Sequence, residues 1–215
     1  MISWYLWLAP NRAIVDDKLV SWPHLSALII SAYNDMPESP QPRTRRPRDP
    51  PHIDKCFPWA FFDGAAQQQG YGGGVILYIN KHHYYKVRMG LGIGSNNFAE
   101  LITLRHLMHF SLGHNCMNIH IFGDSKIIID WFNSITVCHA HTLSNILDEI
   151  KILKAQFIDI TCNHIYREHN RSSDQLSKEA TTLPRVEWMI QEQQGSNAYQ
   201  YYHRPYIDPH YHRAD

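Results

Sequence analysis

The sequence predicts a mixed α/β domain, a five-stranded sheet in the chain order β-β-β-α-β-α-α-β-α with helices packed on its faces. Three observations carry this. Three apolar, strand-like segments lie between residues 58 and 91, too close together for anything but an antiparallel meander. A further strand-like segment at 118–123 is separated from another at 158–166 by enough chain for a helical crossover, which makes a parallel pair. Between and after these, apolar positions repeat with a helical period.

In order, the first strand is Pro58-Trp59-Ala60-Phe61-Phe62 and ends at Asp63-Gly64. After a polar turn, Gln67-Gln68-Gln69-Gly70, the second runs from Gly72-Gly73-Gly74 to Ile79, and the third over 83–91. Gly94-Ser95-Asn96-Asn97 breaks the pattern, and apolar residues at 98, 101, 104, 107 and 108 then mark a helix that stops near Gly113. Asn118 to Gly123 is the fourth strand, Lys126 to Phe132 and Leu143 to Lys154 are helices, and 158–166 is the fifth strand. Asn170-Arg171-Ser172-Ser173-Asp174 opens a last helix that ends before Pro184.

At 215 residues the chain has room for one ordinary domain with flanks. The expected division is an apolar N-terminal segment (1–35), a Pro/Arg-rich linker (36–56), the folded domain (57–183) and a polar, His/Tyr-rich tail (184–215). Hydrophobic residues at 44% and charged residues at 19% suit a packed core. A formal net charge of zero excludes a global basic field, so any nucleic-acid binding must use a local patch or metal ions. Cys56, Cys116, Cys138 and Cys162 are scattered without a Cys-x-x-Cys pair, which fits a reducing, intracellular compartment and does not choose between nucleus and cytoplasm. The apolar runs near the N-terminus are too short to span a bilayer, and no membrane partner is expected.

Four acidic residues stand at comparable places. Asp63 ends the first strand, Asp124 ends the fourth, and Glu100 and Asp174 lie in the first turns of the helices that follow the third and fifth strands. Each has a purely structural reading. Asp63-Gly64 is a strong turn dipeptide, Glu100 with Asn97 can form a capping box, and Asp124 and Asp174 can serve helix N-termini. Taken together, central strand ends beside helix N-termini would bring all four to one spot. There they would repel unless divalent cations were present. Oxygen-only ligands in an incomplete cage select Mg²⁺ or Mn²⁺.

These segments resemble those of ribonuclease H type 1, in its reverse-transcriptase-like branch found in plants and plant retroelements. The match rests on Phe62-Asp63-Gly64-Ala65, Gly72-Gly73-Gly74, Ser95-Asn96-Asn97-Phe98-Ala99-Glu100-Leu101, Gly123-Asp124-Ser125 and 167–176, five motifs in the family's order over about 120 residues. The resemblance implies a ribonuclease H-like fold and a metal-dependent endonuclease that cuts the RNA strand of RNA–DNA hybrids. It implies two Mg²⁺ ions (or Mn²⁺) held by Asp63, Glu100, Asp124 and Asp174, with Asp63 shared. Gly64, Asn96, Asn97 and Ser125 are the implied nucleic-acid contacts, and His169 the implied aid to proton or product release. A monomer is expected. The competing expectation is a nucleic-acid-binding retroelement relic with weak or lost chemistry. The acid order Asp-Glu-Asp-Asp argues against a transposase or integrase, whose third acid comes late.

Overall fold

The computed structural model describes residues 49–204 and, before them, the helical positions Pro23, Ser26 and Ile30. The chain divides into two units at Pro47/Arg48, and everything below concerns the second. The readings of 1–35 as an apolar segment, of 36–48 as linker and of 205–215 as tail lie outside the described residues.

One mixed sheet organises this unit. Its strands are β1 (Trp59–Gln67), β2 (Gly70–Asn80), β3 (His83–Gly92), β4 (Asn118–Gly123), β5 (Asp159–His164), β6 (Trp188–Gln194) and β7 (Asn197–His203). In space they run β5-β4-β1-β2-β3-β6-β7. β1, β2, β3, β6 and β7 pair antiparallel in turn, whereas β1–β4 and β4–β5 are parallel. The helices are α1 (Asn96–Gly113), α2 (Lys126–Phe132), α3 (His141–Lys154) and α4 (Arg171–Ala180), with a short 3₁₀ turn at Arg167–His169. Among the described residues, no helix is long and apolar enough to cross a membrane.

The sheet therefore has seven strands where the sequence predicts five. The two additions form a hairpin within 184–215, and β6 pairs along β3 over seven residues, from Met89↔Trp188 to His83↔Gln194. Trp188 and Ile190 are buried against the core while β7 is exposed along its whole length, so the hairpin buries one row of side chains on a polar-looking sequence. Its turn is Gly195-Ser196, with Gly195 at a φ of +59°, a conformation that the first position of a two-residue hairpin favours in glycine.

A second difference lies in β1. The first strand does not end at Asp63 but continues to Gln67, with Asp63 opposite Gly74 and Gly64 opposite Gly73. The turn is made by Gln68 and Gln69 instead, so Asp63-Gly64 is not turn chemistry. Its glycines serve packing. A Cβ on Gly64 would stand 2.2 Å from the backbone nitrogen of Glu100, and one on Gly74 would stand 2.3 Å from the carbonyl oxygen of Ser173. Successive residues of a strand face opposite sides. α1 therefore lies on the face of Gly64 and Gly73, and α4 lies on the other face, over Gly72 and Gly74.

The main core lies beneath α1–α3. Phe62, Leu77, Leu101, Leu104, Leu107, Met108, Ile121 and Ile128 are fully buried there. Each such side chain contributes about 1.5–3 kcal/mol by burial. This anchors α1 rigidly, which fixes where its N-terminal turns present polar groups.

Candidate metal centre

Three carboxylates meet where β4 ends beside the middle of β1. The parallel register Phe61↔Phe122, continued along both strands, brings Asp63 level with Asp124. Glu100 arrives from the opposite layer. Its helix is capped by Ser95, whose hydroxyl accepts from the Phe98 amide at 3.2 Å, so Glu100 sits in the second turn, free of the capping box predicted with Asn97. Because Gly64 has no side chain, α1 approaches β1 closely enough for Glu100 to reach Asp63. Asp63, Glu100 and Asp124 each offer a carboxylate oxygen, and the three oxygens all lie within 4.8 Å of one another.

Small polar groups of α4 hold this arrangement. Ser177 donates its hydroxyl to Asp63 Oδ2. Asn170, 1% exposed, donates to the Phe62 carbonyl at 2.9 Å and to Asp124 Oδ1 at 3.1 Å, tying the middle of β1 to the residue that follows β4. Ser173 in turn donates to Asn170 Oδ1 and fixes the amide's orientation. A buried polar network of this kind orders its members when its hydrogen bonds are made.

Charge within the cluster is poorly compensated. Burial pushes the Asp63 carboxyl up to about 7, and the neighbouring Asp124 and Asp174 charges add to that, against the opposing hydrogen bond from Ser177. Burial likewise pushes Glu100 up to about 9, with Asp63 and Asp124 contributing. Glu100 Oε2 is buried and has no hydrogen-bond partner among the described residues. An orphaned carboxylate oxygen beside two further carboxylates fits a divalent cation, and the oxygen-only set on an open cleft suits Mg²⁺ or Mn²⁺.

These shifts have a sign that can be checked. Both folded-state pKa values lie above the ordinary 3.8 and 4.5, so the metal-free fold binds more protons than the unfolded chain. The contribution of Asp63 and Glu100 is fully present below about pH 4 and is lost as pH rises toward about 9. Bound Mg²⁺ is expected to restore it. The Mg²⁺-induced rise in Tm should therefore be larger at pH 8 than at pH 5, which differential scanning fluorimetry reads directly. An equal rise at both pH values would contradict the account of these two carboxyls.

Asp174, the fourth acid, stands apart from the other three. Its Oδ1 accepts from Arg167 Nη2 at 2.8 Å and its Oδ2 from Lys178 Nζ at 2.6 Å. Burial pushes this carboxyl up, but the hydrogen bonds from Lys178 and Arg167 prevail and hold it below the ordinary carboxylate value. All four acids nevertheless line one open cleft of about 310 Å³, together with Gly64, Asn96, Ser125, Arg167 and Lys178. Asn97 and His169 are half-buried and are not among the residues that line it. Sequence reasoning assigned no role to Arg167, Asn170, Ser173, Ser177 or Lys178. The spacing Asp174–Lys178 signals a helical ion pair, whereas Asn170 and the serines read as ordinary helix-start residues.

The comparisons agree with this arrangement of sheet and helices. Residues 61–180 match the family model described as reverse transcriptase-like. Among solved structures, the chain is similar to ribonuclease H1 from the halophilic archaeon Halobacterium salinarum at 22% identity and a TM-score of 0.54, over 57% of this chain and 96% of that one. It is similar to the N-terminal ribonuclease H domain of rv2228c from Mycobacterium tuberculosis at 20% identity and a TM-score of 0.54, over 58% of this chain and 92% of that one. A third similar structure is LC11-RNase H1, solved in complex with an RNA/DNA hybrid, at 22% identity and a TM-score of 0.53, over 58% of this chain and 96% of that one. No curated protein matches the chain. At these identities the structural likeness is one of fold.

Proposed function

The chain belongs to the reverse transcriptase-like family, with a ribonuclease H-like fold, and from that premise we propose that it hydrolyses the RNA strand of RNA–DNA hybrids as a metal-dependent endonuclease. The observation that carries this reading is the convergence of Asp63, Glu100 and Asp124 on an open cleft that Asp174 also lines. That a similar fold has been solved with an RNA/DNA hybrid supports the choice of substrate.

In this reading Asp63 is common to two cation places, with Glu100 and Asp124 completing one and Asp174 the other. Bound Mg²⁺ ions would supply activation of the attacking water and stabilisation of the leaving 3′-oxygen. The protein's own part is positioning. Ser177 orients Asp63, and Asn170 holds Asp124 against β1 at Phe62. Gly64, Asn96 and Ser125 line the cleft where a nucleic-acid backbone would lie, and contacts to that backbone fix its register. Asn97, next to Asn96, is assigned to the hybrid as well, and His169 to proton or product release. Discrimination of the RNA strand would rest on its 2′-hydroxyls and on groove shape.

The test is cleavage by the purified full chain. With Mg²⁺, a hybrid labelled on its RNA strand should be cut, while the DNA strand and duplex DNA are spared, and chelation should stop the reaction. A folded protein that binds hybrid but cuts neither strand would favour the relic.

A further inference from the structure

Asp174 differs from the other three acids in one respect: both of its carboxylate oxygens already face cations supplied by the chain. Arg167 holds Oδ1 at 2.8 Å and Lys178 holds Oδ2 at 2.6 Å. Lys178 reaches back one helical turn, and Arg167 reaches across from the 3₁₀ turn. Both line the same cleft as the acids, so their charges stand where an incoming cation would bind.

We infer that Lys178, assisted by Arg167, is a resident cation that occupies Asp174 in the metal-free protein and must be displaced before the outer divalent ion can bind. This rests on the metal-centre reading above and adds an order of filling to it. The Asp63–Glu100–Asp124 place, whose Glu100 Oε2 has no hydrogen-bond partner among the described residues, fills first. The place completed by Asp174 fills second, at higher Mg²⁺.

The contact is strong enough to compete and weak enough to yield. The side chains of Lys178 and Arg167 are 47% and 72% exposed, and pairs so exposed are held by only a small margin. A doubly charged ion between Asp63 and Asp174 gains from both carboxylates, whereas Lys178 meets Asp174 alone. The device therefore sets a Mg²⁺ threshold and does not lock the site.

Calorimetric titration of the full chain with MgCl₂ alone tests this without reference to catalysis. Lys178→Met keeps the aliphatic stem and removes the charge. It should tighten the weaker binding phase by about two- to sixfold and leave the tighter phase unchanged. Arg167→Gln should act in the same direction. Lys86→Met is the control, since it removes the same charge from β3, where Lys86 lies over the Tyr84 ring. It should move neither phase. A weaker phase that is unchanged or loosened in Lys178→Met would overturn the proposal, as would equal tightening in Lys86→Met. A single phase in the wild type that becomes two in Lys178→Met would support it, and a single phase in both would sink it. Failure of the wild type to bind Mg²⁺, or binding that survives Asp63→Asn, would instead overturn the metal centre itself.

Discussion

Replacing Asp63 by Asn is expected to abolish hybrid cleavage while the fold survives intact. The substitution preserves shape and leaves an oxygen to accept the Ser177 hydroxyl, so packing around this part of β1 is unchanged. What it removes is the charge at the centre of the cluster, 6% exposed and common to both proposed cation places. Metal ions in such sites contribute several kcal/mol of transition-state stabilisation. At about 1.4 kcal/mol per factor of ten, the loss of turnover should reach at least about a thousandfold. Stability should move the other way. Burial disfavours the Asp63 charge, so the neutral variant should melt no lower than the wild type at pH 8 without metal, and its Mg²⁺-induced rise in Tm should disappear. Turnover within tenfold of the wild type would refute the assigned centre.

The second large effect is on the fold itself. Gly64→Ala is expected to destabilise the protein sharply and to impair whatever activity remains. The new Cβ would meet Glu100 N at 2.2 Å, Ala99 C at 2.4 Å and Glu100 Cα at 2.6 Å. All three are backbone atoms, so no rotamer change relieves the contact, and α1 must lift from β1. Overpacking of this kind costs about 1–3 kcal/mol or more, and each kcal/mol lowers Tm by about 2–4 °C in a domain of this size. Lifting α1 also withdraws Glu100 from Asp63 and Asp124, so cleavage should fall on the order of a hundredfold even below the melting range. Gly113→Ala is the matched control, since nothing among the described residues lies within 4 Å of the Cβ it would add. It should leave turnover unchanged and stability no lower than the wild type. Thermal denaturation of the two variants side by side decides this. A Gly64→Ala protein as stable as Gly113→Ala would mean that α1 does not bear on β1 as described.

Much of this architecture is legible in the chain because its elements are locally consistent. Asn118–Gly123 and Lys126–Phe132 take the bounds that apolar alternation and helical period assign them. Strand order and helix starts bring Asp63, Glu100 and Asp124 to one region, although Asp63 lies inside β1, Glu100 in the second turn of α1, and Asp174, expected with them, stands apart. Asp63-Gly64 is harder, because a glycine needed for close packing and one needed for a turn are the same letter. Only the approach of the α1 backbone distinguishes them. The β6–β7 hairpin is hidden by composition. Gln191, Glu192, Gln193 and Gln194 read as a polar tail, although Gly195-Ser196 between two segments of strand length carries a hairpin signal. Asn170 and Ser177 are illegible for another reason. Their bonds reach Phe62 and Asp63, more than a hundred residues away in sequence, and no local pattern encodes a partner so distant. The pairing of Asp174 with Arg167 likewise depends on how the 3₁₀ turn swings back over α4.

The central claim, that these acids form a Mg²⁺-dependent centre for cutting RNA opposite DNA, is tested most directly by the ends of the product. The full chain should be incubated with an end-labelled hybrid and Mg²⁺, and the RNA fragments resolved by their terminal groups. Hydrolysis by water with a leaving 3′-oxygen predicts 5′-phosphate and 3′-hydroxyl ends, on the RNA strand alone, lost on chelation and absent with Asp63→Asn. Fragments ending in cyclic phosphate, or cleavage that persists without divalent ions, would contradict the account.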